Sequence, residues 1–107
     1  MTTITIKKKQ EITCVTIEGH SGYKSEGSDI VCASISSIVI TTVNACLKVD
    51  EESIDYEKKD GFVKIDIKKH DSIVTLLIEN MISLLEELES QYSKYVKVTE
   101  EVYLWIN

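Results

Sequence analysis

The sequence predicts an α+β fold: a mostly antiparallel sheet covered by two helices, in the order β-β-α-β-β-α-β. Short segments in which polar and apolar residues alternate indicate strands. Two longer segments have the apolar spacing of helices, and glycine and charged residues separate the segments. The 107 residues can bury one core but not two. We therefore expect residues 1–107 to form a single domain.

The first two strands are predicted to form a hairpin. Residues 2–7 alternate threonine and isoleucine, and residues 12–18 are rich in β-branched side chains, with a polar stretch between them. A loop follows at residues 19–27, which hold three of the four glycines in the chain. This concentration of glycine predicts an irregular loop with unusual backbone angles.

The first helix is predicted from Ser28, a plausible N-cap, to about Val49, with Asp29 in its first turn. Its polar residues recur at steps of three and four and form one narrow stripe: Ser34, Ser37, Thr41, Asn44 and Lys48. The remaining surface is nearly all apolar, which is more than one sheet face needs to cover. We therefore expect this helix to be buried on most sides, with room for a subunit contact.

The second half of the chain predicts another hairpin, a second helix and a last strand. Residues 53–58 and 62–69 alternate around a Lys-Asp-Gly turn, and residues 95–105 again have strand-like composition. Asp71 and Ser72 are suited to cap a helix over residues 73–92. Its expected apolar face is Ile73, Leu77, Met81, Leu84, Leu85 and Leu88. Its expected exposed residues are Glu79, Glu86 and Glu87.

Charge and hydropathy exclude several classes of function. The net charge of −6 argues against binding of nucleic-acid backbones, and the longest basic run, residues 7–9, is short. An acidic domain is instead attracted to basic partners. The N-terminus lacks the apolar stretch of a signal peptide, and we expect no later segment to cross a membrane. The expected location is the cytoplasm.

The three cysteines, Cys14, Cys32 and Cys46, predict free thiols. Their odd number, in a chain without a secretory signal, argues against a set of structural disulfide bonds. No Cys-x-x-Cys or His-x-x-x-His spacing is present, so the sequence predicts no metal site and no cofactor. Cys14, in a strand, and Cys46, on the buried side of the first helix, are interpreted as packing residues.

Cys32 and His20 are the residues with the chemistry for acyl transfer. Cys32 is expected in the first turn of the helix, where the dipole and unpaired N–H groups favour a thiolate and an oxyanion. The glycine-rich loop is long enough to bring His20 within reach. However, Cys32 also falls opposite the polar stripe, where an inert core cysteine would lie. Local spacing therefore permits a catalytic pair without establishing one.

Three other residues could have a functional role but are interpreted as structural. His70 precedes the Asp71 cap and is interpreted as an exposed strand-end residue. Tyr103 and Trp105 could line a peptide groove, but we expect them to pack along an edge strand.

The residues around Cys32 match a known family motif. Gly19-His20-Ser21-Gly22-Tyr23 is followed by Gly27-Ser28-Asp29-Ile30-Val31-Cys32-Ala33-Ser34-Ile35-Ser36. This arrangement closely resembles the ribosomal-processing cysteine proteases, which show Gly-His, a glycine-containing loop, then Asp-Ile-Val-Cys-Ala and serine. The resemblance extends through Val43-Asn44 and the order of elements, so it covers nearly the whole chain.

The resemblance implies roles for individual residues. Cys32 is the nucleophile and His20 the general base, while Gly19, Asp29 and Ser36 occupy the other characteristic positions. Asp29 either orients His20 or caps the helix, and Ser36 either hydrogen-bonds beneath the site or packs. The flexible loop that closes over the substrate is expected to include Ser21, Gly22, Tyr23 and Gly27.

The resemblance also implies a reaction. Members of the family remove a short N-terminal extension from large-subunit ribosomal protein twenty-seven, cutting after paired phenylalanines, and they are typically homodimers. The implied partner is thus a peptide extension of a ribosomal protein, with no direct contact to nucleic acid or membrane. The alternatives are a non-catalytic module that binds ribosomes and a redox-sensing thiol protein.

Overall fold

The computed structural model describes residues 1–19 and 26–103, with the side chains of 26–29 left out. The described residues confirm the predicted α+β fold and its order of elements. The strands are β1 (Thr2–Lys8), β2 (Ile12–Glu18), β3 (Ile54–Lys59), β4 (Phe62–Ile67) and β5 (Val96–Val102). The helices are α1 (Glu26–Val49) and α2 (Ser72–Gln91).

The sheet has the strand order β3-β4-β2-β1-β5. Neighbouring strands are antiparallel except β1 and β5, which are parallel because α2 carries the chain back along the sheet before β5 begins. This arrangement places β1 inside the sheet, with Ile4 opposite Ile17 on β2 and Val98 on β5. The sheet is therefore mostly antiparallel, as predicted.

The two faces of the sheet differ as the alternation predicts. Ile4, Val15 and Ile65 are fully buried on the face that the helices cover. The residues between them, such as Thr5 and Thr16, form the opposite face, where they are half-buried. The hydrophobic core therefore lies between one sheet face and the two helices.

Helix α1 begins earlier than predicted and is less buried. Ser28 is not the N-cap, since the helix already begins at Glu26. The polar stripe is on the outside as expected, but Ile30, Ile40 and Val49 are also exposed, by 55%, 42% and 41%. Within a single chain the helix is thus not buried on most sides, because the sheet and α2 cover only one side of it, and the subunit contact stays a prediction.

Helix α1 does not fit the expectation that no segment is long and apolar enough to cross a membrane. Residues 30–49, a stretch of 20, are long and apolar enough to span a membrane by length and composition, and an 18-residue window within them has a mean hydropathy of 2.0. Only 33% of that window is buried within the chain. Core helices of soluble proteins pass the same test, and Val31, Ile35 and Val39 pack in the core here.

Helix α2 is capped as predicted, but it turns a different face to the core. The Asp71 side chain accepts hydrogen bonds from the N–H groups of Ile73 and Val74. The buried residues are Val74, Ile78, Met81, Ile82 and Leu85. Of the predicted face, Met81 and Leu85 are buried, Leu77 and Leu88 are partly buried against the core, and Ile73 and Leu84 are exposed. Apolar residues occur around more than half of the circumference of this helix. Its packing on the sheet, and not its periodicity, therefore selects the buried side.

The ends of α1 and β4 are joined through Ser53, which was predicted to lie in a strand. Ser53 precedes β3 and is fully buried, and its hydroxyl donates a 3.0 Å hydrogen bond to the Cys46 carbonyl. Its own carbonyl accepts from the N–H groups of Lys68 and Lys69, so β4 ends at Ile67 and not at residue 69. Cys46 itself is fully buried, which confirms its packing role.

Candidate active site

A cleft of about 220 Å³ lies between α1 and the β3–β4 hairpin. One wall comes from α1 and contains Cys32, Ile35, Ser36, Val39 and Ile40. The other comes from the hairpin and contains Tyr56, Lys58, Gly61, Phe62 and Val63. Thr2, Ile17 and Gly19 close the end of the cleft. The alternation of β3 places Tyr56 and Lys58 on the helix-covered face, a signal that sequence reasoning did not use.

Cys32 is half-buried and lines this cleft. It is the seventh residue of α1 and lies in the second turn, so its expected place in the first turn is wrong. In an α-helix the Cys32 N–H is bonded to the Ser28 carbonyl. Among the described residues, the unpaired N–H groups at this end of the helix belong to residues 26–28.

Gly19 has a backbone conformation and a position that only glycine fits. Its φ is +125°, a region that side chains rarely adopt, and a Cβ atom there would overlap the Met1 carbonyl oxygen. The Gly19 N–H donates a 3.0 Å hydrogen bond to the Gly61 carbonyl. The structure therefore gives a physical reason for glycine immediately before His20.

Ser36 lies one turn after Cys32 on the same wall of the cleft. Its side chain is exposed, so it does not pack beneath the site. Neighbouring hydroxyls of α1 are occupied, since Ser34 donates to the Ile30 carbonyl and Thr42 to the Ile38 carbonyl, both at 2.9 Å. The Ser36 hydroxyl has no such bond among the described residues and is available to a bound molecule.

Several predicted site residues lie outside the described part of the chain. His20, Ser21, Gly22 and Tyr23 are among them, and so is Trp105. Asp29 is described only as a helical backbone position. Whether His20 meets Cys32, and what Asp29 contacts, therefore stay predictions.

Gly27 was predicted to belong to the flexible loop, and the structure places it in helix α1. The loop is thus shorter than predicted at its C-terminal end. Because residues 26–29 are helical, their N–H groups are aligned along the helix axis, in the turn that precedes Cys32.

The other two cysteines are not in the cleft. Cys14 lies on the opposite sheet face with 6% of its surface exposed, and burial together with the Asp66 carboxylate raises the pKa of its thiol. Burial likewise raises the pKa of the Cys46 thiol. Both predictions of a packing role are confirmed by this burial. Cys32 is therefore the cysteine that a substrate can reach.

His70 lies far from the cleft, at the end of the sheet where β1 finishes and β2 begins. It follows β4 and is not part of the strand, but it is exposed as predicted. Its Nδ1 atom is 2.9 Å from a carboxylate oxygen of Glu11. His70 thus contacts a surface carboxylate and does not lie beside Cys32.

Tyr103 also lies away from the cleft. Its N–H donates a 2.8 Å hydrogen bond to the Lys8 carbonyl, continuing the pairing of edge strand β5 with β1. Its hydroxyl donates to Glu101. Among the described residues, no group of three or more His, Cys, Asp or Glu side chains is placed to hold a metal ion.

Comparison with known proteins identifies the family of this chain. The family model described as Cysteine protease Prp matches residues 1–97. The chain belongs to this family. It is a cysteine protease, and membership decides against the alternatives of a non-catalytic module and a redox sensor.

Individual members of the family cover nearly the whole chain. The ribosomal processing cysteine protease Prp of Staphylococcus aureus is 26% identical over 98 residues, 89% of this chain and 92% of that protein. The protein of the same name from Bacillus subtilis is 27% identical over 107 residues, 92% of this chain and 96% of that protein.

A solved structure extends the comparison to three dimensions. The Staphylococcus aureus protease Prp, in complex with a covalently linked product peptide, is 25% identical with a TM-score of 0.84. The similarity covers 94% of this chain and 100% of that chain. The whole described architecture, including the helix that carries Cys32, therefore has a counterpart in a solved protease.

Proposed function

We propose that this protease removes the N-terminal extension from a large-subunit ribosomal protein, protein twenty-seven, during ribosome maturation, using Cys32 and His20 as a catalytic pair. The observation that carries the proposal is the location of Cys32. It is the half-buried cysteine in an open cleft, while Cys14 and Cys46 are buried elsewhere. The names of the relatives, ribosomal processing cysteine proteases, support the class of substrate.

The first half of the mechanism forms an acyl-enzyme. His20 takes the proton from the Cys32 Sγ atom, and the thiolate forms a bond to the scissile carbonyl carbon. The carbonyl π electrons move to the oxygen, where the unpaired N–H groups of residues 26–28 stabilise the charge. When the carbonyl reforms, the C–N bond breaks, and His20 gives its proton to the leaving amine.

The second half restores the enzyme. His20 removes a proton from water, which attacks the thioester carbonyl, and the carbon–sulfur bond then breaks. The peptide leaves as a carboxylic acid, and Cys32 regains its proton. The covalently linked product peptide in the Staphylococcus aureus relative supports a mechanism through a covalent intermediate.

The lining of the cleft supports an apolar substrate. Beside Cys32 the walls are formed by Ile35, Val39, Val63 and Phe62, and the volume of about 220 Å³ accommodates one large side chain. This chemistry suits a substrate that is cut after aromatic residues. The proposal includes closure of the residues after Gly19 over the peptide, which would exclude water from the acyl-enzyme.

The outward surface of α1 supports a homodimer. Within residues 30–49, Lys48 is the one charged side chain, and the exposed residues include Ile40 and Thr41. A surface whose one charged residue lies near the C-terminal end of the helix can contact its own copy around a two-fold axis with little opposition of like charges. The proposal places the dimer in the cytoplasm, acting on a protein and not on nucleic acid or membrane.

The proposal is tested with a peptide that spans the extension junction of the host ribosomal protein. Wild type, Cys32→Ala and His20→Ala are compared by mass spectrometry of the products. The chain offers matched controls, because Cys14→Ala and His70→Ala change the same residue types away from the cleft. We expect one cut after the aromatic pair, lost in both cleft variants and retained in both controls.

Two results would contradict the proposal. If the folded wild type does not cleave the authentic junction, the ribosomal protein is not its substrate. Retained cleavage by His20→Ala, with the pH dependence of wild type, would remove His20 as the acid–base and require another residue in that role.

A further inference from the structure

Helix α2 exposes an apolar surface that the fold leaves uncovered. Ile73, Leu76 and Leu84 are exposed by 54%, 64% and 40%. At 100° per residue these three lie within about 80° of arc, and they extend over about 16 Å along the helix. We call them the α2 stripe. Three large aliphatic side chains exposed on one helix face are typical of a contact site for another polypeptide.

The α2 stripe is bordered by acidic residues. Helix α2 contains four glutamates and no lysine, arginine or histidine. Glu79, Glu86 and Glu87 are exposed, and Glu87 lies between Leu76 and Leu84 in helical angle. Glu89 is held inward, since its carboxylate accepts a 2.7 Å hydrogen bond from the Val98 N–H. The exposed Asn80 also lies between Leu76 and Leu84 in helical angle. The surface therefore mixes large apolar side chains with Asn80 and Glu87 and is anionic along one side, at Glu79 and Glu86.

This charge pattern argues against a second copy as the occupant. A two-fold contact along the α2 stripe would bring Glu87 and Glu86 toward the same residues of the other copy, with no cation on either helix to offset them. The outward surface of α1 has no such obstacle. The two helices thus present surfaces that suit different partners.

We infer that the α2 stripe binds a lysine- or arginine-rich polypeptide with apolar side chains: the body of the ribosomal substrate beyond the cleaved junction. The identity of this partner rests on the proposed function, while its chemistry follows from charge complementarity.

The test measures binding, not cleavage, and uses the full chain. The probe is the mature host ribosomal protein without its extension, labelled for fluorescence anisotropy. Leu76→Ser and Glu87→Lys are compared with controls of the same chemistry outside α2, the exposed Val102→Ser and Glu51→Lys. We expect each α2 variant to weaken binding by about fivefold or more. The controls should bind like wild type, and added salt should weaken the wild-type complex.

Either of two results would overturn the inference. Equal affinity of Leu76→Ser and wild type would show that the apolar stripe takes no part in binding. Equal losses in Glu87→Lys and Glu51→Lys would show an attraction set by net charge alone. Junction-peptide cleavage is measured separately on the same variants, so loss of the proposed function would be seen there and not confused with loss of binding.

Discussion

The backbone N–H of Gly19 donates a hydrogen bond to the carbonyl oxygen of Gly61 across 3.0 Å. The bond ties the start of the histidine-containing loop to the β3–β4 turn, and both glycines line the cleft that contains Cys32. Both also have positive φ angles, +125° and +71°. The residue before His20 is thus anchored to the wall that faces the nucleophile.

Gly19→Ala should destabilise the fold and reduce cleavage together. The positive φ alone costs about 1 to 3 kcal/mol for a residue with a side chain. The overlap of the new Cβ with the Met1 carbonyl oxygen adds to this cost. Urea unfolding measures the loss of unfolding free energy. Gly61→Ala is the comparison, because the positive φ of residue 61 lies in the more accessible left-handed region and costs a side chain about 1 to 2 kcal/mol. Equal losses in the two variants would argue against the Met1 overlap.

Iodoacetamide should modify Cys32 alone in the folded protein. Cys14 and Cys46 are 6% and 0% exposed, and burial raises the pKa of both thiols, which keeps them protonated. Peptide mapping by mass spectrometry locates the label, and unfolding in urea should expose all three cysteines. Rapid labelling of Cys14 or Cys46 under native conditions would contradict the burial of these residues.

The free energy of unfolding should fall as the pH rises above about 9. The Cys46 thiol ionises near its ordinary pKa of 9.0 in the unfolded chain but is still protonated in the fold, where burial raises its pKa. The folded state then binds more protons than the unfolded state, so alkali favours unfolding, by at most about 1.4 kcal/mol per pH unit for each thiol.

Cys46→Ala supplies the control for this pH dependence. The variant should be less stable at neutral pH because it leaves a cavity, yet its stability should fall less steeply between about pH 9 and 10. Identical slopes in the two proteins would show that Cys46 does not contribute to the alkaline loss.

Ser36→Ala should change catalysis without changing stability. The side chain is exposed and lines the cleft, so its loss should alter the free energy of unfolding by less than about 0.5 kcal/mol. If its hydroxyl binds the substrate, kcat/KM for the junction peptide should fall about fivefold. Ser37→Ala, on the neighbouring exposed position of α1, is the control and should keep the wild-type value.

Thr41→Glu should dissociate the proposed dimer. The residue is exposed on the outward surface of α1, whose one charged residue is Lys48, and a two-fold contact would place two new carboxylates close together. Sedimentation equilibrium should give the mass of two chains for wild type and of one for Thr41→Glu. Ser93→Glu, in the exposed turn after α2, should leave the mass unchanged. A wild type that sediments as a single chain would refute the dimer.

The strands were the most predictable part of the fold. Alternation along β1 and β2 fixes which side chains share a face, because successive residues of a strand point in opposite directions. The two-residue period also placed Cys14 in a strand. It did not predict how deeply Cys14 is buried, because that depends on neighbours on other strands, such as Asp66. Strand ends were less certain, since Ser53 belongs by composition to β3 but is bonded to the end of α1.

The helices show that periodicity alone does not predict which side of a helix is buried or at which residue the helix begins. In α2 the pattern beginning at Ile73 and the pattern beginning at Val74 are both apolar, and the sequence alone favoured the first. Packing against the sheet buries Val74 and leaves Ile73 exposed. In α1 the helix begins at Glu26, before the expected cap at Ser28, which moves Cys32 from the first turn to the second.

The sequence by itself determined the order of elements, the family motif around Cys32 and the roles expected of Cys32 and His20, because these depend on local patterns and on residue identity. Only the tertiary structure decided which cysteine opens into a cleft, which face of α2 is buried and why residue 19 must be glycine. These depend on contacts between distant segments, such as Gly19 with Met1 and Gly61. Local spacing carries no information about which distant backbone atoms a folded chain brings together.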